Sequence, residues 1–247
     1  MSLTGLIDLH SHLLPGIDDG CRTLEESLAC VRTLSDHGFV GTACTPHMCV
    51  SAFPANAPRT IAARIAILQE HLKRSGLSYR LWAGGELRLA EDTLPWLREH
   101  GVPTLGPSRN VLIDYWGRRW PAFADAAVEH LLQDGYQPIL AHPERMDFDD
   151  REWDTVLARL EQRGTRLQGN LKCLAGHEGP RVCQRAQLLL QEDRYWMLAT
   201  DMHGTADLAA RLEGLDTVER LVGPAKLRQL LVERPQKTVK AHEQDPV

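Results

Sequence analysis

Short apolar runs alternate with helix-patterned stretches along nearly the whole chain, and this alternation restricts the available folds more than any other feature. Strands are expected at Gly5–Leu9, Phe39–Cys44, Tyr79–Ala83, Asn110–Ile113, Pro138–Ala141, Arg166–Gly169 and Trp196–Ala199. Amphipathic segments lie between them. Pro58–Arg74 carries Ile61, Ile65, Leu68 and Leu72 on one face, and Pro58 suits a first helical position. Thr23, with Glu26 three residues on, is a capping-box start, and Gly38 suits a left-handed helix end. Seven strand–helix units with short connections predict an α/β fold whose parallel sheet closes into a distorted, seven-stranded, TIM-like β/α barrel. The barrel is assigned to residues 1–234 as a single domain, and 235–247 to a polar, frayed tail. A chain of 247 residues is long enough for one such unit. An open doubly wound sheet is the competing architecture.

The positions of the polar residues favour the barrel. There, the loops after the strands face one mouth, so chemistry-bearing residues gather from many strand ends. The first strand runs into Asp8-Leu9-His10-Ser11-His12. Side chains alternate along an extended chain, so His10 and His12 point the same way. A turn with Asp18-Asp19-Gly20 follows, and His47, Glu86, Asp114, His142, Asp201 and His203 stand at or just after later strand ends. His10, His12, Asp19, His47, Glu86, Asp114, His142, Asp201 and His203 form a candidate ligand set of imidazoles and carboxylates without thiolate. Such a set suits manganese, iron or zinc in a hydrolytic centre better than a structural zinc site. It is too large for one ion; two or three ions with bridging carboxylates would use it. Arg145 is the expected anion binder, since its planar fork matches phosphate. An ion pair with Glu144 or Asp147 is its alternative. Arg118 and Arg119 either guide substrate or lie on the surface. His37, His71, His100, His130, His177 and His242 fall on helices, helix ends or the tail and read as structural. Asp18 reads as a turn residue and Asp8 as an orienting or strand-capping group. Cys44 and Cys49 flank His47 but read as small buried side chains.

Composition, 43% hydrophobic and 25% charged, predicts a sizeable core. A net charge of -5 without a Lys/Arg cluster argues against nucleic-acid binding. No apolar run approaches the roughly 18 residues of a membrane span, and the first residues lack a signal-peptide pattern. A cytoplasmic protein with free thiols is expected. None of the six cysteines precedes an arginine at the spacing of a cysteine-dependent phosphatase loop.

Asp8 to Gly20, Thr23 to Ser27, Thr45-Pro46-His47, Gly85-Glu86, Ala141-His142-Pro143-Glu144-Arg145 and Asp201-Met202-His203 follow one another in the order of a known family. They resemble the polymerase-and-histidinol-phosphatase (PHP) superfamily, most of all the CpsB/CapC-type bacterial tyrosine-protein phosphatases encoded with capsule and exopolysaccharide genes. The resemblance implies a β/α barrel with three divalent metal ions, manganese first. It implies one ion on His10, His12, Glu86 and Asp201, a second on Glu86, Asp114 and His142, and a third on Asp19, His47 and His203. Arg145 would bind phosphate, and His203 or a water would donate the proton. The implied activity is hydrolysis of phosphotyrosine on a tyrosine autokinase of polysaccharide synthesis and export. Met48 stands where the family has a second histidine, Asp114 where it has glutamate, and Leu171-Lys172-Cys173 where it has a small Ala-Gly-Ser stretch. A small-molecule phosphoesterase such as a histidinol phosphatase, an amidohydrolase and a non-catalytic regulator are the alternatives. Homo-oligomerisation is left open.

Overall fold

β1 (Leu6–Ser11) is buried at all of its positions, the pattern of a parallel strand covered on both faces. The computed structural model describes residues 3–240. After β1 come α1 (Leu24–Asp36), β2 (Phe39–Cys44), β3 (His47–Met48), α2 (Pro58–Arg74), β4 (Arg80–Ala83), β5 (Glu86–Arg88) and α3 (Thr93–His100). Then follow β6 (Asn110–Asp114), α4 (Ala122–Gln133), β7 (Gln137–Ala141), α5 (Asp150–Gln162), β8 (Arg166–Asn170), α6 (Leu171–Leu174), α7 (Pro180–Gln191) and β9 (Tyr195–Ala199). α8 (Leu208–Arg228), interrupted at Gly223, and α9 (Arg234–Lys240) flank a π-helical turn at Gln229–Glu233. Local chemistry sets the boundaries as expected. The Thr23 side chain accepts from Glu26 N at the start of α1, Pro58 opens α2, and Gly38 (φ 89°) follows α1.

A single closed sheet of seven strands is not found among the described residues. Two all-parallel sheets are present among the described residues, β1-β2-β4 and β3-β5-β6-β7-β8-β9. The strands expected at Phe39–Cys44 and Tyr79–Ala83 form, and each is followed two residues on by a short strand outside the expected set, β3 and β5. Thr45-Pro46 separates β2 from β3, and Gly84-Gly85 separates β4 from β5. The breaks lie side by side, because β2 pairs with β4 and β3 with β5. Pro46 has no N–H for a ladder, and a Cβ on Gly85 would stand 2.4 Å from the Met48 sulfur. At the other seam β1 meets the chain just beyond β9. Ser11 and Met202 form a parallel bridge, His12 N donates to Met202 O at 2.9 Å, and Asp201 N donates to His10 O at 2.9 Å.

One apolar layer lies between strands and helices, and a second cluster gathers Ile7, Leu9, Ala43, Leu112, Ile139 and Met197 from strands of both sheets. Val239 of α9 packs into that inner cluster. The frayed tail expected from Pro235 therefore begins as a helix, with Pro235, Thr238 and Val239 buried. Its sequence looks polar because only one face is covered. Residues 241–247, His242 among them, lie outside the described residues.

Candidate metal centre

Most of the expected ligands stand at or just after the carboxyl ends of strands, and His47 and Glu86 at the openings of two short ones. β1 supplies His10, and His12 follows it; β3 opens with His47, β5 with Glu86, and β6 ends in Asp114. His142 follows β7, and Asp201 and His203 follow β9. His142 (φ 29°) and Asp201 (φ 50°) adopt left-handed backbone, which costs a side-chain-bearing residue of order 1–3 kcal/mol. Both turn their side chains into the site at that cost. Gly20 lets the Asp18-Asp19 loop close on His12, since a Cβ there would meet His12 O at 2.2 Å.

Eight of the nine expected ligands fall into three overlapping clusters whose ligand atoms lie within 4.8 Å of one another. These are His12, Asp19, His47 and His203; His10, Glu86 and His142; and His10, His12 and Asp201. Asp114 is the exception. One of its oxygens stands 3.9 Å from His142 Nδ1 and accepts from Tyr115 N, while the other accepts from Trp116 Nε1. His12 joins the cluster of Asp19, His47 and His203 as well as that of His10. His37, His71, His100, His130 and His177 join none of these clusters, nor does any cysteine.

The imidazoles are oriented from behind. His10 Nδ1 faces Gln168 Oε1 at 2.8 Å, His12 Nδ1 faces Asp18 Oδ2 at 2.7 Å, and His203 Nδ1 faces Asp201 O at 2.8 Å. Each of these oxygens accepts a hydrogen bond from the ring's Nδ1–H, which leaves Nε2 of each imidazole facing inward. His10 Nε2 and His12 Nε2 are 3.4 Å apart, and each lies 3.4 Å from Asp201 Oδ1. Glu86 oxygens lie 3.5 and 3.4 Å from the same two nitrogens. Donors about 2.1 Å from a tetrahedral cation stand about 3.4 Å apart. His47 Nδ1 and Glu86 Oε2 are both buried and face each other at 2.7 Å. Inward Nε2 atoms at that spacing among carboxylates fit a cation cluster.

The electrostatics agree. Burial alone would raise the Glu86 and Asp201 carboxyls, but His10 and its neighbours hold both well below the usual range. Burial would lower His12, yet Asp18, Asp201 and Glu86 raise it well above its ordinary value. His142 is likewise raised to about 9 by Asp114 and Glu86 against its burial. Burial, and then the charge of His12, push His203 down to about 4. The acids thus demand positive charge, which divalent cations would supply.

The cavity over this cluster has a volume of about 390 Å³ and is bounded by Trp116, Arg118 and Arg145, among others. Arg145 Nη1 donates to Asp201 Oδ2 at 3.1 Å, and its side chain is 41% exposed. It pairs with neither Glu144, which accepts from Asn170 N and Tyr195 OH, nor Asp147, which pairs with Arg118 at 3.2 Å. Sequence reasoning missed Gln168 and Asn170, whose Nδ2 donates to Asp201 Oδ2 at 2.7 Å. It also missed the second role of Asp18, which keeps its expected turn bond to Gly20 N as well. Asp8 ties strand ends together by accepting from Thr200 and His10 N.

Residues 6–240 match the family described as capsular polysaccharide synthesis, CpsB/CapC. The chain is 27% identical over 244 residues to the tyrosine-protein phosphatase CpsB of Streptococcus agalactiae, covering 96% of this chain and 99% of that one. It is 26% identical over 198 residues to the tyrosine-protein phosphatase YwqE of Bacillus subtilis, with 80% and 77% covered. A solved structure among those of YwqE and Streptococcus pneumoniae CpsB, described as unique metal-dependent tyrosine phosphatases, superposes with a TM-score of 0.85. It is 24% identical, with 95% and 94% of the chains covered. The phosphotriesterase homology protein of Escherichia coli shares the fold at a TM-score of 0.60 and 12% identity, with 96% and 99% covered.

Proposed function

For a chain that belongs to the CpsB/CapC family of capsular polysaccharide synthesis, we propose metal-dependent hydrolysis of phosphotyrosine on protein. The observation that carries this reading is the inward-facing set of imidazoles and acids beneath an open cavity that also holds Arg145. Manganese is the first choice of metal, with three ions per chain. His10, His12, Glu86 and Asp201 would hold one ion, and Glu86 and His142, with Asp114, a second. Asp19, His47 and His203 would hold a third, with His12 in reach. Divalent cations held there would lower the pKa of water toward about 7 and withdraw charge from the phosphoryl oxygens, which supplies a nucleophile without cysteine.

The remaining work falls to this chain's side chains. Arg145 stands at the cavity with its guanidinium part-exposed and binds phosphoryl oxygens as a fork. Asp201 and Asn170 fix its neighbourhood from below. His203 keeps its proton on Nδ1 against the Asp201 carbonyl, which suits it to bind a cation through Nε2 rather than to donate a proton. Tyrosine leaves as a phenolate of pKa near 10, so its departure asks less of an acid than an alkoxide does. The physiological substrate is assigned to a tyrosine kinase of polysaccharide export.

The test is a panel of p-nitrophenyl phosphate, phosphotyrosine peptide and histidinol phosphate on the manganese-loaded protein. Turnover of phosphotyrosine peptide is expected to exceed that of histidinol phosphate. His142→Ala and Asp201→Ala are each expected to reduce it by a factor of 10³ or more, on the order of the loss when a charge-stabilising group is removed, with the circular dichroism spectrum kept. Retained turnover in both variants contradicts the reading.

A further inference from the structure

Trp116 is a large aromatic side chain that remains 48% exposed, and it stands on the wall of the cavity. Among the described residues the other exposed large apolar side chains, Val40, Val50, Ile67 and Leu188, do not line it. Exposed aromatic surface beside a polar centre points to a ligand with an apolar part. We propose that Trp116 is a specificity-determining residue whose ring packs on the aryl group of a phosphate ester, so that the site prefers aryl over alkyl phosphates. This inference rests on the phosphatase reading above and names the leaving group the site accepts.

Three contacts hold the ring still. The Arg88 guanidinium lies 4.2 Å from its centroid, and Arg88 also donates to Cys49 Sγ at 3.5 Å. The His47 imidazole meets it edge-on at 5.2 Å between centroids. Its indole N–H donates to Asp114. A surface fixed before the ligand arrives loses little freedom on binding. Tyr115 is the neighbouring aromatic of the wall, but it packs against Trp120 at 5.4 Å and Phe148 at 6.3 Å and belongs to the scaffold. Through His47 the ring sits directly against the ligand cluster. A phosphoryl group bound by Arg145 therefore has an apolar plane within reach of its ester substituent. An arginine in the place of Trp116 would attract any phosphate; an indole discriminates by what the phosphate carries.

The competing role for Trp116 is to hold Asp114 through its N–H. The two are separated by binding of phenylphosphonate and methylphosphonate to the manganese-loaded full chain, measured by isothermal titration. Phosphonates have no leaving group, so the intrinsic reactivity of aryl esters does not enter. The wild-type protein is expected to bind phenylphosphonate more tightly. Trp116→Ala is expected to lower the phenyl-to-methyl affinity ratio by about tenfold, and Trp116→Phe, which lacks the N–H, to keep most of it. The kcat/KM ratio of phosphotyrosine to phosphoserine should fall in parallel. An unchanged ratio in Trp116→Ala overturns the proposal, as does an equal loss in Trp116→Phe. A wild-type protein that binds neither phosphonate and hydrolyses neither ester removes the phosphatase reading itself, a separate failure.

Discussion

Asp18 carries two jobs on two oxygens. Oδ1 accepts from Gly20 N at 3.0 Å, and Oδ2 stands 2.7 Å from His12 Nδ1 while accepting from His47 N at 3.0 Å. The second job orients one ligand ring and anchors the backbone of another. Asp18→Ala should therefore weaken manganese binding by about 10–100-fold, the usual cost of losing a group that orients a ligand. Competition titration against a chelator measures this, and unchanged affinity would return Asp18 to a turn role alone. The Asp-Asp-Gly pattern made the turn legible because glycine and aspartate have known turn chemistry, whereas nothing in the pattern says where the other oxygen points. Gln168 was illegible for a plainer reason. An amide inside a strand carries no charge and no motif, yet it fixes the proton of His10. Asp114 sits at the expected strand end, with one oxygen 3.9 Å from His142 Nδ1 and the other held by Trp116.

At the scale of elements, strand positions were legible because buried parallel strands are continuous apolar runs. The short strands β3 and β5 beyond Pro46 and Gly84-Gly85 were not, since two or three residues leave no apolar run to read. They matter, because His47 and Glu86 stand at their starts, where the two pair in register. The covered face of α9 was illegible because two or three buried side chains leave no helical stripe. α8 is tied to α6 by charge: Asp207 accepts from Lys172 Nζ at 2.8 Å and from Arg211 Nε at 3.0 Å. Burial would raise Asp207, but Arg211 and Lys172 hold it down at about 2, below its ordinary 3.8. A depressed carboxyl stabilises the fold above the unfolded value and loses that contribution as pH falls from about 4 toward about 2. The side chain is 33% exposed, so solvent screening trims the effect to about 1–2 kcal/mol. Asp207→Asn should lower the urea midpoint at pH 7, and the gap to wild type should narrow below about pH 4. A gap that stays constant from pH 7 to pH 3 would show that the pair contributes through packing rather than charge.

For the molecule as a whole, a parallel α/β frame brings residues from both halves of the sequence to one mouth. His10 and Asp201 are 191 positions apart, yet Asp201 N donates to His10 O at 2.9 Å. That convergence gathers acids whose charge the protein alone meets with Arg145 and by protonating His12, His47 and His142. Cations would free those imidazoles to act as ligands, which is why metal, fold and activity are expected to move together. No helix among the described residues is long and apolar enough to cross a membrane. The most direct measurement is hydrolysis of a phosphotyrosine peptide by chelator-stripped protein as manganese is returned. The account predicts no turnover at the start and recovery that levels off at about two to three equivalents per chain. Full turnover by the stripped protein, or manganese binding that leaves it inactive on the peptide, would contradict it.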